Sequence, residues 1–268
     1  MKEEKVTDTT KPTRPTSPEV RLERLTGGPI EEGQFDKAIL GLGATEYHGP
    51  HLPYGTDTFT AETWAEAVAR ELGNTLVLPT LAYGVSHHHL DWPWTLSLRP
   101  ETLSNIIVDI GESLLHHGIT KLIIVPAHDG NPAPAETAAR LLSQKHDMKV
   151  ALVDQVFGKA REMLAGRFDI DGDHAGRTEM SMVLYSNPET ARHDLATKEQ
   201  PQYVDLPILL IDSFKGTVPK GFSGDAAAGS AEEGQAMTEA MVAILVPFLR
   251  ELDKRGWKRG TWMSRIDE

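Results

Sequence analysis

Between Glu46 and Asp57 the chain reads E-Y-H-G-P-H-L-P-Y-G-T-D, gathering two carboxylates and two imidazoles within twelve residues among glycines and prolines. Neutral imidazole nitrogen and anionic carboxylate oxygen are donors that a first-row divalent cation prefers, and a second cation nearby calls for a carboxylate that bridges both. Glu46, His48 and Asp57 can supply that set. Glu46 and His48 stand two apart, so on an extended segment their side chains leave the same face. Pro50 and Pro53, with Gly49 and Gly55, exclude regular helix and let the chain turn so that Asp57 returns to the site. Any one of these residues alone suits an ordinary surface loop. Their clustering after an apolar strand favours a metal site.

Two further clusters add candidates. The run K-L-I-I-V-P-A from Lys121 to Ala127 is the strongest strand signal in the chain, and it leads straight into His128-Asp129-Gly130-Asn131. Downstream, D-G-D-H-A-G-R-T-E-M-S runs from Asp171 to Ser181. Gly172 and Gly176 mark a loop, whereas residues 178–185 carry the apolar spacing of a short helix. His174 is therefore expected on the loop and Glu179 on the first helical turn, where the helix dipole alone also favours a carboxylate. Short histidine tracts can bind metal. In an extended His87-His88-His89, however, neighbouring side chains alternate direction and cannot easily share one ion.

The elements that must position these residues follow from periodicity. Residues 37–43 read as a buried strand whose carboxyl end delivers Glu46, and open α/β sheets place ligand sites at that end. Residues 58–72 read as an amphipathic helix with Phe59, Trp64, Ala67 and Val68 inward. A strand is expected at 74–79, helices at 102–117 and 134–145, a strand at 149–154 and a closing amphipathic helix at 235–252. This alternation is the pattern of a parallel sheet covered on both faces. Met1 to Pro18, rich in Lys, Glu, Thr and Pro, reads as a disordered or draped tail. Helical spacing begins at Val20, so residues 1–23 are assigned to the tail and 24–268 to a single domain.

The 268 residues carry a formal net charge of -12 and no cysteine. That balance disfavours nucleic acid and anionic membrane as partners; a small-molecule substrate is expected. No window approaches the roughly 20 apolar residues that span a bilayer, and no signal-peptide core opens the chain, so a cytoplasmic location is expected.

The motifs G-A-T-E-Y-H-G-P-H-L-P-Y-G-T-D, A-H-D-G-N and H-A-G-R-T-E-M-S resemble those of the creatininase (creatinine amidohydrolase) family. Tyr83 to Leu96 resembles the family's G-x-S-x-x-H-x-x-F-P-G-T stretch, with Trp92 and Trp94 replacing phenylalanine and glycine. G-F-S-G-D from Gly221, followed by A-E-E-G from Ala231, resembles its closing pattern. The resemblance implies a three-layer α/β/α sandwich with a mostly parallel central sheet, two divalent metal ions (zinc ahead of manganese or iron) and a homo-oligomer, the family's ring-like hexamer. Glu46 and His48 fall on the family's metal-binding pair, Asp57 on its bridging aspartate and His128 on its strand-end histidine. Creatininase itself continues with a metal-binding glutamate two positions after that histidine, and here Gly130 stands there. Either Glu179 completes the second metal's ligands or that metal is weak or absent, and creatinine is disfavoured as substrate.

His174 aligns with the family's H-A-G histidine and is the candidate general acid/base, with a loop-stabilising hydrogen bond as its alternative. Of the triple histidine only His89 matches, and it is expected to line the substrate pocket. Trp92 and Trp94 are expected to form a pocket wall or an oligomer contact, and either could stack on a ring. Asp129 has three available roles: holding a hydroxyl-rich or cationic substrate group, orienting a ligand, or facing bulk water. A cation lowers the pKa of a bound water from about 16 to ~7 and polarises a carbonyl, which needs no serine or cysteine nucleophile. The function expected is metal-dependent hydrolysis of a cyclic or linear amide or a lactone. The alternatives are metal-assisted opening or rearrangement of a carbohydrate ring, and metal binding without turnover.

Overall fold

The computed structural model describes residues 19–31, 35–154, 156–168, 174–200 and 213–258. The tail expected at 1–18 and residues 171–173 of the third cluster lie outside the described residues. In chain order the elements are α1 (Gly27–Glu31), β1 (Lys37–Leu42), α2 (Thr56–Leu72), β2 (Thr75–Val77), α3 (Pro100–His116), β3 (Lys121–Pro126), α4 (Pro132–His146), β4 (Lys149–Leu152), α5 (Val156–Leu164), α6 (Arg177–Ser186), β5 (Lys198–Glu199), β6 (Gly224–Asp225) and α7 (Ala231–Lys254).

The first four strands pair in parallel in the order β2-β1-β3-β4. Both faces of this sheet are covered, which is why β1 and β3 read as continuous apolar runs rather than as alternating ones. Ile39, Ile123 and Val125 join one core with Trp64 and Val68 of α2, Ala160 of α5 and Met237 and Met241 of α7. Ala38, Leu40, Leu42, Leu122 and Ile124 point the other way, onto Leu103 and Ile107 of α3 and Ala138 and Leu142 of α4. The result is a three-layer α/β/α sandwich. β5 and β6 form a separate two-residue antiparallel pair.

The structure departs from the periodicity in particular places. Helices α3 and α4 begin earlier than their apolar spacing suggested, because Pro100 and Pro132 occupy the first helical turn, where a missing N–H costs nothing. The inward face of α2 is Ala61, Trp64, Ala65 and Val68, a clean i, i+3, i+4, i+7 stripe, while Phe59 and Ala67 are only half-buried. Val20 and Arg21 are not helical: Val77 N donates to Val20 O at 2.8 Å, and Arg21 bridges Val77 in parallel. The open edge of β2 captures this segment, so Val20 is buried and the last residues assigned to the tail belong to the fold. Helix α5 was not anticipated.

Two glycine contacts set the positions that matter for chemistry. A Cβ at Gly43 would fall 2.5 Å from Thr58 Cα, so glycine lets the end of β1 touch the first turn of α2. A Cβ at Gly234 would fall 2.1 Å from Ser181 O, so α7 lies directly on α6. Buried Glu233 then accepts from Arg177 Nε at 2.8 Å, fixing the start of α6.

Candidate metal centre

Five of the predicted residues converge just beyond the carboxyl ends of β1 and β3. Glu46 and His48 lie on the loop after β1, which Glu46 N closes by donating to Tyr54 O at 3.1 Å. Asp57 occupies the first turn of α2, His128 follows β3, and Glu179 sits in the first turn of α6. Glu46, His48, Asp57 and His128 are all at most 6% exposed. Their donor atoms form three overlapping groups: Glu46 with His48 and His174, Glu46 with Asp57 and His128, and His48 with Asp57 and Glu179.

Backbone carbonyls fix how each imidazole is presented. His48 Nδ1 donates to Glu46 O at 3.1 Å, which leaves Nε2 facing Asp57 Oδ1 at 3.2 Å and Glu179 Oε2 at 3.6 Å. His128 Nε2 donates to Val85 O at 3.0 Å, so its Nδ1 lies 3.4 Å from both Glu46 Oε1 and Asp57 Oδ2. His174 Nε2 donates to Tyr47 O at 3.2 Å, and its Nδ1 stands 4.0 Å from Glu46 Oε1. A carbonyl only accepts, so each anchor places a proton on the anchored nitrogen and turns the other nitrogen toward the carboxylates, an arrangement typical of metal-ligating histidine.

These residues fit a cation on their own chemistry. Glu46 Oε2 and Asp57 Oδ2 are buried without a hydrogen-bond partner, and an uncompensated buried carboxylate oxygen is costly. Burial pushes the Glu46 carboxyl up, but the charges of His128, His48 and His89 outweigh it and hold the group well below the usual carboxylate range. Burial would lower His48, yet Asp57 and Glu179 push it up to about 10, and His128 is likewise raised by Glu46 and Asp57 against burial. The carboxylates thus recruit positive charge from protons in the place where a divalent cation would supply it. His174 differs, since burial and the neighbouring His48 push it down to about 4.

Asp57 faces both His48 and His128, the geometry of a carboxylate able to serve two ions. Gly130 is explained by space rather than by a lost ligand alone. A Cβ there would fall 1.9 Å from Val85 O, the carbonyl that anchors His128, so no side chain fits. Glu179 Oε2 instead reaches the group from α6, and the N–H of Ala175 donates to that same oxygen.

The remaining candidates divide. His87–His89 form a tight turn rather than an extended segment, and only His89 reaches the carboxylates, with Nε2 3.6 Å from Glu46 Oε1. His88 stacks on the His128 ring at 5.7 Å and His87 is exposed. Trp92 is buried against His89 at 5.5 Å between ring centres. Trp94 is 81% exposed, and Asp129 is exposed and outside the three donor groups.

Three residues were missed. Buried His51 donates from Nε2 to Ala175 O at 2.7 Å, holding Ala175 at a φ of 51° so that its N–H meets Glu179. Ser223 pairs with the His174 backbone in both directions, at 2.8 and 3.1 Å. Phe214 packs its ring on His89 and His174 at 5.1 and 5.5 Å. His51 and Ser223 both lie within quoted motifs, and that was the available signal; nothing around Phe214 offered one.

Comparison with known proteins agrees with this picture. The family model described as creatinine amidohydrolase matches residues 23–249. A mycofactocin precursor peptide peptidase of Mycobacterium ulcerans is 30% identical over 215 residues, covering 76% of this chain and 80% of the relative. A 3-dehydro-scyllo-inosose hydrolase of Thermotoga maritima is 26% identical over 271 residues, covering 90% and 86% respectively. Among solved structures, a mutant creatininase of Zn-Zn type superposes with a TM-score of 0.74 at 25% identity, over 88% of this chain and 98% of that one. On the match over residues 23–249, with its motif residues drawn together at the strand ends, this chain belongs to the creatininase family of hydrolases.

Proposed function

We propose that the protein is a metal-dependent hydrolase acting on the carbonyl of a small amide or lactone, with two divalent cations, zinc foremost, held by Glu46, His48, Asp57, His128 and Glu179. The observation that carries this reading is the pair of buried carboxylates, Glu46 and Asp57, each with one oxygen that lacks a hydrogen-bond partner and each faced by the unanchored nitrogens of His48 and His128. The bound ions would polarise the substrate carbonyl and make water nucleophilic at neutral pH. The protein supplies the rest. Asp57 is shared by two of the three donor groups, and the carbonyl anchors hold each ring in register. His174, kept neutral by burial and by His48, offers an imidazole to move a proton to the departing amine or alkoxide. His89, Trp92 and Phe214 pack ring against ring beside the carboxylates and limit water there.

Metal analysis and a screen of amides, lactones and keto-sugars on metal-reconstituted protein test this directly. Near two equivalents per chain are expected, with Glu46→Gln losing at least one. His174→Ala should keep its metal while kcat falls by about 10²–10⁴. Loss of metal in His174→Ala would make that residue a ligand, and full folding without any metal uptake would sink the reading. The carbohydrate alternative draws on the Thermotoga maritima inosose hydrolase, which covers more of this chain than the peptidase does. Turnover of keto-sugars but no amide in the same screen would establish it.

A further inference from the structure

Beside the candidate ligands lies a cleft of about 510 Å³ whose lining includes Tyr47, Trp92, Lys215, Lys220 and Phe222. It is one ring removed from the carboxylates, because Trp92 contacts His89 and His89 faces Glu46. Its floor is a stacked pair, Tyr47 and Trp92, with ring centres 5.9 Å apart and planes 13° from parallel. Gly221, at a φ of 74°, draws the opposite wall onto this pair; a Cβ there would fall 2.4 Å from the Tyr47 ring. The turn at Phe214–Gly216 straddles the two compartments, with Phe214 on the imidazoles and Lys215 in the cleft.

The two lysines differ in what they face. Lys220 is neutralised by Glu199. Lys215 Nζ lies 5.9 Å from the Trp92 ring centre and donates to Asp91 O at 3.1 Å, and it has no carboxylate partner among the described residues. One of its three N–H donors is thus committed to a carbonyl, and no carboxylate among the described residues opposes its charge, in a chain whose formal net charge is -12. Lys215 is exposed at the cleft mouth, and a carboxylate seated on the aromatic pair would meet its ammonium in a charge-assisted bond.

We propose that this cleft receives an anionic group of the substrate, a carboxylate carried near the scissile amide or ester, with Lys215 as its counter-charge. The proposal rests on the hydrolase reading for where the scissile carbonyl sits, but the cleft's preference for an anion is measurable without turnover. Neutral sugars or creatinine-like rings would leave Lys215 unused.

The test is calorimetric binding of matched pairs, hippurate against hippuramide and N-acetylphenylalanine against its amide, to the full chain as purified and after zinc reconstitution. Each carboxylate is expected to bind at least tenfold more tightly than its amide. Lys215→Met should shrink that preference below about twofold with metal content unchanged, and Lys215→Arg should keep it. The proposal is overturned if acid and amide bind alike, if none of the four binds, or if the preference survives Lys215→Met, since it would then belong to the metal ligands. Carboxylate preference that depends on Lys215 in a protein with no hydrolytic turnover would support the cleft and defeat the hydrolase reading alone.

Discussion

At Gly130 a single backbone atom decides what chemistry the position can carry. Its missing side chain leaves room for Val85 O, and Val85 O holds the His128 proton on Nε2. Restoring a glutamate by Gly130→Glu should therefore subtract a ligand rather than add one, by pushing Val85 away and releasing the His128 ring. Overpacking of this kind costs typically 1–3 kcal/mol. We expect a lower thermal midpoint and reduced metal content. A variant that gains metal affinity would show instead that the 128–131 turn can open. His51 makes the complementary point. It was legible as an imidazole but not as a support for Glu179, because the peptide it holds, Ala175, is 124 residues away.

At the scale of elements, β1 and β3 were legible because burial on both faces leaves unbroken apolar runs, and their strand ends point to Glu46 and His128 in the sequence alone. Helix α2 was legible in existence and in part of its rotation: Trp64 and Val68 face the core as read, whereas Phe59 and Ala67 are half-buried because alanines at 61 and 65, which give a weak apolar signal, carry the rest of the core face. Phe214 and Lys215 come from a three-residue turn with no periodicity, so only tertiary contact reveals them. The amino ends of β1 and β3 carry a second charged group with a different role. Asp36 accepts from Lys37 and Lys121, and both lysines also meet Asp253 in the last turn of α7. Burial raises the Asp36 carboxyl, but the bonds from Lys121 and Lys37 bring it below its ordinary 3.8. A depressed folded pKa means a contribution present above the unfolded value and lost as pH falls through the folded one. Asp36→Asn should flatten the acid limb of stability below about pH 4, and the half-exposed side chain limits the effect to about 0.5–1 kcal/mol. Urea unfolding of both proteins from pH 7 downward measures it; parallel curves would mean that Asp36 contributes nothing.

The whole molecule divides into a sheet core and a site end. The two core clusters meet across β1 and β3 and contain none of the proposed ligands, which come from four separate stretches of chain between residues 46 and 179. Removing metal should leave the core folded while loosening the rim. Hydrogen exchange after chelation is expected to rise at 46–57, 86–89 and 174–179 with β1 and β3 still protected; uniform loss of protection would show that the metal holds the entire fold. The convergence of ligands on Asp57 has a topological consequence. The chain contains no cysteine, so no disulfide can tie these stretches together. Coordination bonds meeting at one carboxylate would act as reversible cross-links, tying Asp57 to His128, 71 residues on, and to Glu179, 122 residues on, and the protein could be locked or released by the metal supply around it.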